Sequence, residues 1–426
     1  MPYTTQLLKQ FTEGQHDGLF KDIYVDTDKI NYEINRYIEA VQKFVDLFGE
    51  AEVSIFSAPG RSEIGGNHTD HQHGKVLAAS INKDCIAVVQ KTEDGMIQFV
   101  SDGYDMIRIS VEDLEKKDTE KETTTAIVKG VLAGVKERGF QVGGFKAYIT
   151  SDVLIGAGLS SSAAFETLIG TILSGLYNEW QISPVEIAII GQYAENVYFG
   201  KPCGLMDQMA SSVGSLVHID FHNPKEPVVE RVSFDFDKKG YSLCVTDTKG
   251  SHADLTADYA AVPAEMKAVA AMFGKEVLRD VELQDMIANA CKIREAQGDR
   301  AFLRALHYKE ENVRVEKQVA ALKADNIEAF LKLIKASGDS SYKYLQNVYT
   351  NHDITHQNVS VALAMSDILL GEQGVSRVHG GGFAGTIQAF VPNDMVVDYK
   401  AGMDGIFGAG ACDVLKARKY GGMQVL

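Results

Sequence analysis

The residues that could do chemistry fall into four stretches. The first is KPCGLMDQMASSVG, residues 201–214, where Asp207 sits in a Gly-bounded turn among apolar side chains. That is an unfavourable place for a carboxylate unless it is paired or functional. Taken alone, such an Asp is more often structural than catalytic. The second is VLIGAGLSSSAAF, residues 153–165. Gly156 and Gly158 let the backbone turn tightly and approach a ligand with no Cβ in the way. Ser160, Ser161 and Ser162 then fall in the first turn of a helix, where N–H groups are unpaired and the dipole is positive, so a phosphate is favoured. A hydroxyl in that turn can also reach a metal ion held by the phosphates. A Ser-capped strand-to-helix connection explains this stretch equally well by itself. It is not a Walker motif, because no Lys follows the glycines.

The third stretch is APGRSEIGGNHTDHQHGKVLAASI, residues 58–81. Arg61, Glu63, Asn67, His68, Asp70, His71 and His73 crowd together with four glycines between apolar flanks. A loop so dense in donors and acceptors suits a hydroxyl-rich ligand. A solvated polar loop is the plainer alternative, and the three histidines do not match a helical or strand-face ligand pattern. The fourth is HGGGFAGT, residues 379–386, a glycine turn that can brace another loop by close approach or serve simply as a hairpin.

The elements that must position these groups are legible from periodicity. Residues 29–48 place Ile30, Ile34, Tyr37, Ile38, Val41, Phe44, Val45 and Phe48 at three- and four-residue spacing, an amphipathic helix. Strands are expected at 52–57, 76–81, 85–90, 145–152 and 241–246. Residues 163–177 read as a buried helix and 123–138 as another. A helix over 184–199 starts with Ser183 as N-cap and Pro184 at its first position, and carries Glu195 near its end. Residues 223–240, charged and with two prolines, read as a connection between lobes. Helices are expected at 254–273, 282–296, 301–324 and 326–335. After the glycine turn, Ile387, Ala389 and Val391 share one side of a strand, with Gln388 and Phe390 on the other.

Composition bounds the possibilities. The chain has 426 residues, 45% hydrophobic and 23% charged, as in soluble globular proteins. Its formal charge of −16 argues against nucleic acid or an anionic membrane as a partner. Five cysteines (Cys85, Cys203, Cys244, Cys291, Cys412) are scattered singly with no CxxC pair, which points to reduced thiols rather than disulfides or zinc. No apolar leader and no run of about 18 apolar residues occurs, so a cytoplasmic protein is expected.

Read in order, APGRxxxGxNHTDxxxG, GAGLSSSAA, CGLMDQ and HGGGFAGT resemble the motifs of the galactokinases, in the superfamily that also holds homoserine and mevalonate kinases (GHMP). The resemblance spans roughly residues 58–390. It implies an α+β fold of two lobes: residues 1–235 as an N-terminal lobe of ribosomal-protein-S5-like topology, and 236–426 as a ferredoxin-like C-terminal lobe closing over the sugar. It implies ATP-dependent phosphorylation of the anomeric hydroxyl of galactose with Mg²⁺. Gly156, Ala157, Gly158, Leu159, Ser160, Ser161 and Ser162 would cradle the ATP phosphates, and Ser162 and Glu195 would hold Mg²⁺. Asp207 would accept the hydroxyl proton, with Arg61 beside it and the transferring phosphoryl. Asn67, His68, Thr69, Asp70 and Tyr259 would meet the sugar. A small-molecule sugar is the implied partner, with no nucleic acid or membrane, for a monomer or weak oligomer.

The departures fall on the sugar side. Galactokinases usually read GRVNLIGEHTDY where this chain reads GRSEIGGNHTDH, so the sugar-contacting Glu is replaced by Asn67 and Glu63 stands where Asn is usual. The arginines that follow the Tyr259 position are absent, and His379 replaces a Thr. Two alternatives therefore stand beside galactose phosphorylation: a kinase of the same build for another sugar such as N-acetylgalactosamine, and a non-catalytic sensor of galactose and ATP.

Overall fold

The computed structural model describes residues 1–153, 158–251 and 254–426. Twelve strands are described: β1 (Ser54–Gly65), β2 (Lys75–Lys91), β3 (Met96–Ser101), β4 (Ile107–Ser110), β5 (Phe145–Ser151), β6 (Leu216–Asp220), β7 (Val228–Val232), β8 (Tyr241–Asp247), β9 (Val375–His379), β10 (Thr386–Pro392), β11 (Cys412–Leu415) and β12 (Met423–Gln424). They form two sheets. The larger runs β12-β1-β2-β5-β3-β4, with β6 paired to the first part of β2 and β7 to β6. Among the described strands only β3 and β5 pair in parallel. The smaller runs β11-β8-β10-β9, all antiparallel.

Amphipathic periodicity decides what covers each face. Helices Thr4–Thr12, Asp17–Tyr24 and Ile30–Phe48 bury Leu7, Phe11, Phe20, Tyr37 and Phe44 against Ile55, Ile86 and Val88 of the large sheet. Helices Thr124–Glu137, Ser161–Tyr177 and Pro184–Tyr193 cover its other face through Val128, Leu132, Leu168, Ile172 and Ile190. In β10, Ile387, Ala389 and Val391 turn towards helices Asn358–Leu370 and Val396–Phe407. Phe390 turns the opposite way, into a core shared with the large sheet through Phe236 and Phe330. The site-bearing strand β1 thus lies between two packed lobes.

The structure departs from the sequence expectations in informative places. The stretch expected to become a loop at residue 58 stays extended to Gly65 as part of β1, with register shifts between Pro59 and Arg61 and between Glu63 and Gly65. All twelve residues of β1 are buried. Its polar side chains are tolerated because each is paired: Arg61 with Asp207, Ser62 with Gln388, and Glu63 with Arg377. Residues 76–81 and 85–90 are one strand, β2. The helix expected over 282–296 breaks at Asn289, whose side-chain amide donates to the Asp285 carbonyl. The connection at 223–240 contains β7, which pairs back onto β6.

Nor does the chain divide cleanly near residue 235. Its C-terminal end returns to the N-terminal lobe, where β12 pairs with β1. There Arg418, with no exposed surface, donates to Asp84 Oδ2 at 2.8 Å. Arg36 and Tyr24 reach the same carboxylate. Burial alone would raise the pKa of Asp84, but Arg36 and Arg418 outweigh it and hold it below the usual value.

Candidate active site

The site begins with Arg61. Its backbone N–H donates to the Leu159 carbonyl at 3.0 Å, and its Nη1 donates to the Gly158 carbonyl at 2.6 Å. These two bonds tie β1 to the loop that enters helix Ser161–Tyr177. Gly158 has φ +69°, and a Cβ there would lie 2.8 Å from Thr386 Oγ1, so the start of β10 presses on the same loop. Ser160, at φ +60°, is the N-cap residue, but its hydroxyl does not cap the helix. It donates to Asp207 Oδ2 instead. Among the described residues the first-turn N–H groups of the helix have no side-chain acceptor, as an anion site requires.

Asp207 is on the first turn of helix Met206–Val213, not in a free turn. Arg61 grips it with both sides of the guanidinium, Nε to Oδ1 at 2.7 Å and Nη2 to Oδ2 at 2.8 Å. Burial pushes the Asp207 carboxyl up, but the charge of Arg61 and the bonds from Arg61 and Ser160 prevail, and its pKa lies below the ordinary range. The Asp207 side chain is still 34% exposed, so it can meet a ligand, whereas that of Arg61 is only 9% exposed.

Glu195 lies in a π-helical turn, Ala194–Phe199, that widens the end of helix Pro184–Tyr193. Its Oε1 is 3.5 Å from Ser162 Oγ and 3.5 Å from the Lys201 ammonium, while Oε2 accepts from Gln208 Nε2 at 2.9 Å. Gln208 Nε2 also serves Glu166 at 3.0 Å. Burial first, then the charge of Glu195, hold the Glu166 carboxyl well above the usual pKa. Glu195 is buried, and its Oε1 has only these distant partners. With Ser162 Oγ beside it, this donor set fits Mg²⁺, which takes one or two protein oxygens and fills its remaining positions with phosphate and water.

On the sugar side, Arg61, Glu63, His68, Asp70, Cys203, Gly204 and the Gly380–Gly381 backbone line a cleft of about 610 Å³ that opens towards His71, His73 and Lys267. His68 donates from Nε2 to the Gly381 carbonyl at 2.9 Å, so its neutral form keeps Nδ1 as an acceptor. Asp70 Oδ1 accepts from the His71 backbone at 2.9 Å. A Cβ on Gly204 would fall 2.2 Å from Asp70 Oδ2, so only glycine allows this approach. Burial raises the Asp70 pKa. The Tyr259 hydroxyl donates to the Gly382 carbonyl at 2.7 Å, and its ring meets Phe383 edge-on at 5.4 Å.

Two sequence expectations need correction. Asn67 has no exposed surface, and its amide is spent inside the protein. Nδ2 donates to Glu63 Oε1 (3.1 Å) and the Gly380 carbonyl (2.7 Å), while Oδ1 accepts from Ser341 (3.2 Å) and Asn347 (2.8 Å). It fastens the loop to the C-terminal lobe and does not reach the cleft. Thr69 is equally buried, its hydroxyl taken by the Gly66 and Lys75 carbonyls. Gly156 and Ala157 lie outside the described residues. Sequence reasoning missed Ser160 as a partner of Asp207, and Gln208 as the bridge between two carboxylates. It had also passed over Gly204, the neighbour of Asp70. Only the CGLMDQ motif hinted at the last two.

The comparisons accord with this geometry. The galactokinase galactose-binding signature matches residues 42–91, and the GHMP kinases N terminal domain matches residues 126–215. The galactokinase of Glaesserella parasuis serovar 5 is 32% identical over 360 residues, covering 83% of this chain and 89% of that protein. The chain belongs to the galactokinase family. In fold it is similar to the galactokinase of Lactococcus lactis crystallised with galactose (TM-score 0.76, 24% identity, 90% of this chain and 98% of that one). It is also similar to the mevalonate kinase of Methanococcus jannaschii (TM-score 0.61, 14% identity, 86% and 99%). The two-lobed arrangement described above is thus the GHMP kinase fold, and the family makes this chain an ATP-dependent phosphotransferase.

Proposed function

We propose that this galactokinase-family enzyme transfers the γ-phosphoryl group of ATP to the anomeric hydroxyl of galactose, releasing ADP and galactose 1-phosphate. The observation that carries the reading is the Arg61–Asp207 pair, held against the uncapped N-terminus of helix Ser161–Tyr177 by Ser160 and the Gly158 carbonyl. An acceptor for the hydroxyl proton and a cation for the phosphoryl group are thereby joined at a phosphate-binding turn. The anomeric oxygen forms the new bond to phosphorus, the bond from phosphorus to the bridging oxygen breaks, and its electron pair leaves with ADP. The hydroxyl proton passes to Asp207 and then to solvent. Because the transition state is loose, the proton can leave late, and Asp207, a weak base beside Arg61, chiefly orients the hydroxyl. Arg61 and the helix N–H groups stabilise charge on the phosphoryl oxygens. Mg²⁺, held by Ser162 and Glu195, would neutralise phosphate charge.

His68 and Asp70 supply polar contacts to the sugar in this reading, and Tyr259 shapes the glycine turn above it. A cytoplasmic location is consistent with five cysteines that are all unpaired, three of them buried. A monomer or weak oligomer remains part of the proposal. One observation favours a second reading, a kinase for a related hexose: Asn67 stands where the family carries its carboxylate, and its own side chain is buried inside the protein. ADP release with Mg·ATP across galactose, glucose, N-acetylgalactosamine, galactosamine, mannose, fucose and arabinose decides between them. Galactose best by tenfold, about 1.4 kcal/mol of transition-state preference, supports the first reading. A better alternative sugar with weak galactose turnover refutes it.

A further inference from the structure

The family pattern NLIGE and the EIGGN of this chain differ by an exchange: the amide and the carboxylate have traded places, giving Glu63 and Asn67. The structure puts the two side chains in contact, Asn67 Nδ2 donating to Glu63 Oε1 at 3.1 Å. Asn67 is spent on internal bonds to both lobes. Glu63, by contrast, lines the cleft beside Arg61, His68 and Asp70. Its two oxygens are treated unequally. Oε1 is fixed by Asn67 and by Arg377, which has no exposed surface and is itself held by the Ile64 and Val378 carbonyls. Oε2 has no hydrogen-bond partner among the described residues, and it is not one of the buried unpartnered oxygens. As the oxygen without a partner on a residue that lines the cleft, it is the one left for a ligand.

We infer that Glu63 is a sugar-binding residue of this enzyme, accepting a hydroxyl of the substrate through Oε2, and that the carboxylate lost at position 67 has been moved four residues back along the chain to do so. The inference deepens the sugar-kinase reading and rests on it. Arg377 keeps Glu63 in a fixed rotamer, so Oε2 arrives preorganised and little side-chain freedom is lost on binding. Asn67, by filling the space beside Oε1, limits Glu63 to a single free acceptor, which makes the contact directional and therefore selective for one hydroxyl. The exchange moves the carboxylate from the loop onto strand β1, two residues after Arg61. The hydroxyl it selects need not be the one a carboxylate at 67 would select, and sugar preference can shift with it.

The test couples a residue to a hydroxyl. Glu63→Gln keeps the shape and an acceptor for Arg377 while removing the charge. Wild type and Glu63→Gln are compared on galactose and on 2-deoxy-, 3-deoxy-, 4-deoxy- and 6-deoxygalactose, with KM for ATP and the thermal midpoint as controls. A hydrogen bond to a charged group predicts a rise in KM for galactose of about tenfold or more, with KM for ATP unchanged. One deoxy sugar should be insensitive to the substitution, because the partner hydroxyl is already gone. Uniform loss on all five sugars means a structural role and overturns the inference, as does no loss on any. Wild-type turnover of galactose tests the kinase reading separately. If the wild type does not turn over, the same comparison is made on sugar affinity by calorimetry, and the same two outcomes decide.

Discussion

Replacing Asp207 with Asn tests the centre of the mechanism. The carboxylate accepts from Arg61 at 2.7 and 2.8 Å and from Ser160. Asn keeps one carbonyl oxygen but turns an NH₂ group towards a guanidinium N–H, donor against donor, so one of the two parallel bonds is lost. A hydrogen bond to a charged group contributes about 1.5–3 kcal/mol. Because the Asp207 side chain is 34% exposed, the lower end applies to stability, about 1–2 kcal/mol. The catalytic effect should exceed this. Loss of the proton acceptor and of hydroxyl orientation costs about 10²-fold or more in kcat, some 2.7 kcal/mol of transition-state stabilisation, while KM for ATP stays within about twofold of wild type. The assay is ADP release, paired with urea unfolding to separate the two effects. The wild type adds a pH signature. With its pKa held below the usual range, Asp207 stays ionised through mildly acidic pH and should impose no loss of kcat/KM between about pH 7 and 5. A folded Asp207→Asn enzyme with normal turnover would remove Asp207 from the reaction.

Other outcomes follow from the same geometry. Glu195→Gln should raise the Mg²⁺ concentration for half-maximal activity by about tenfold or more and leave KM for the sugar unchanged; an unchanged Mg²⁺ titration would mean that Glu195 is no ligand. Asn67→Ala should destabilise the fold by about 2–4 kcal/mol, since several buried groups lose partners, without a selective change in KM for the sugar. A rise in KM at unaltered stability would restore Asn67 as a sugar contact. Glu33 is buried, and the Arg36 charge beside it is already shared by Asp84 and Asp152, so its pKa is raised to about 8. The folded state then holds a proton that the unfolded chain releases above about pH 4.3, and stability should fall as pH rises towards 8. Chemical denaturation of wild type and Glu33→Gln from pH 5 to 8 checks this: the variant should lose less stability over that range, and parallel curves would refute the assignment.

The sequence by itself determined most of the helices and strands that carry the polar and glycine-rich stretches. Ser183 and Pro184 announced a helix start, and the structure has a capping box there with Glu186. Alternation in residues 387–391 told which side chains of β10 face which core. The start of helix Ser161–Tyr177 was legible because short-range constraints, glycine and serines at a helix entry, leave a local signature.

The sugar side was not legible, because it is built from long-range pairings. Residues 58–65 read as a polar loop, yet they form a buried strand, since their charges are neutralised by Asp207 and Arg377, 146 and 314 residues away. No local pattern encodes that. The same holds for the C-terminal residues that return to β1, and for Arg418, whose partner Asp84 lies 334 residues earlier. Whether a polar side chain serves a ligand or its own protein depends on which of its atoms remain unpaired after packing. Tertiary structure therefore decided that Asn67, the residue expected to meet the sugar, is buried in the protein, and that Glu63 lines the cleft with only one of its oxygens bonded among the described residues.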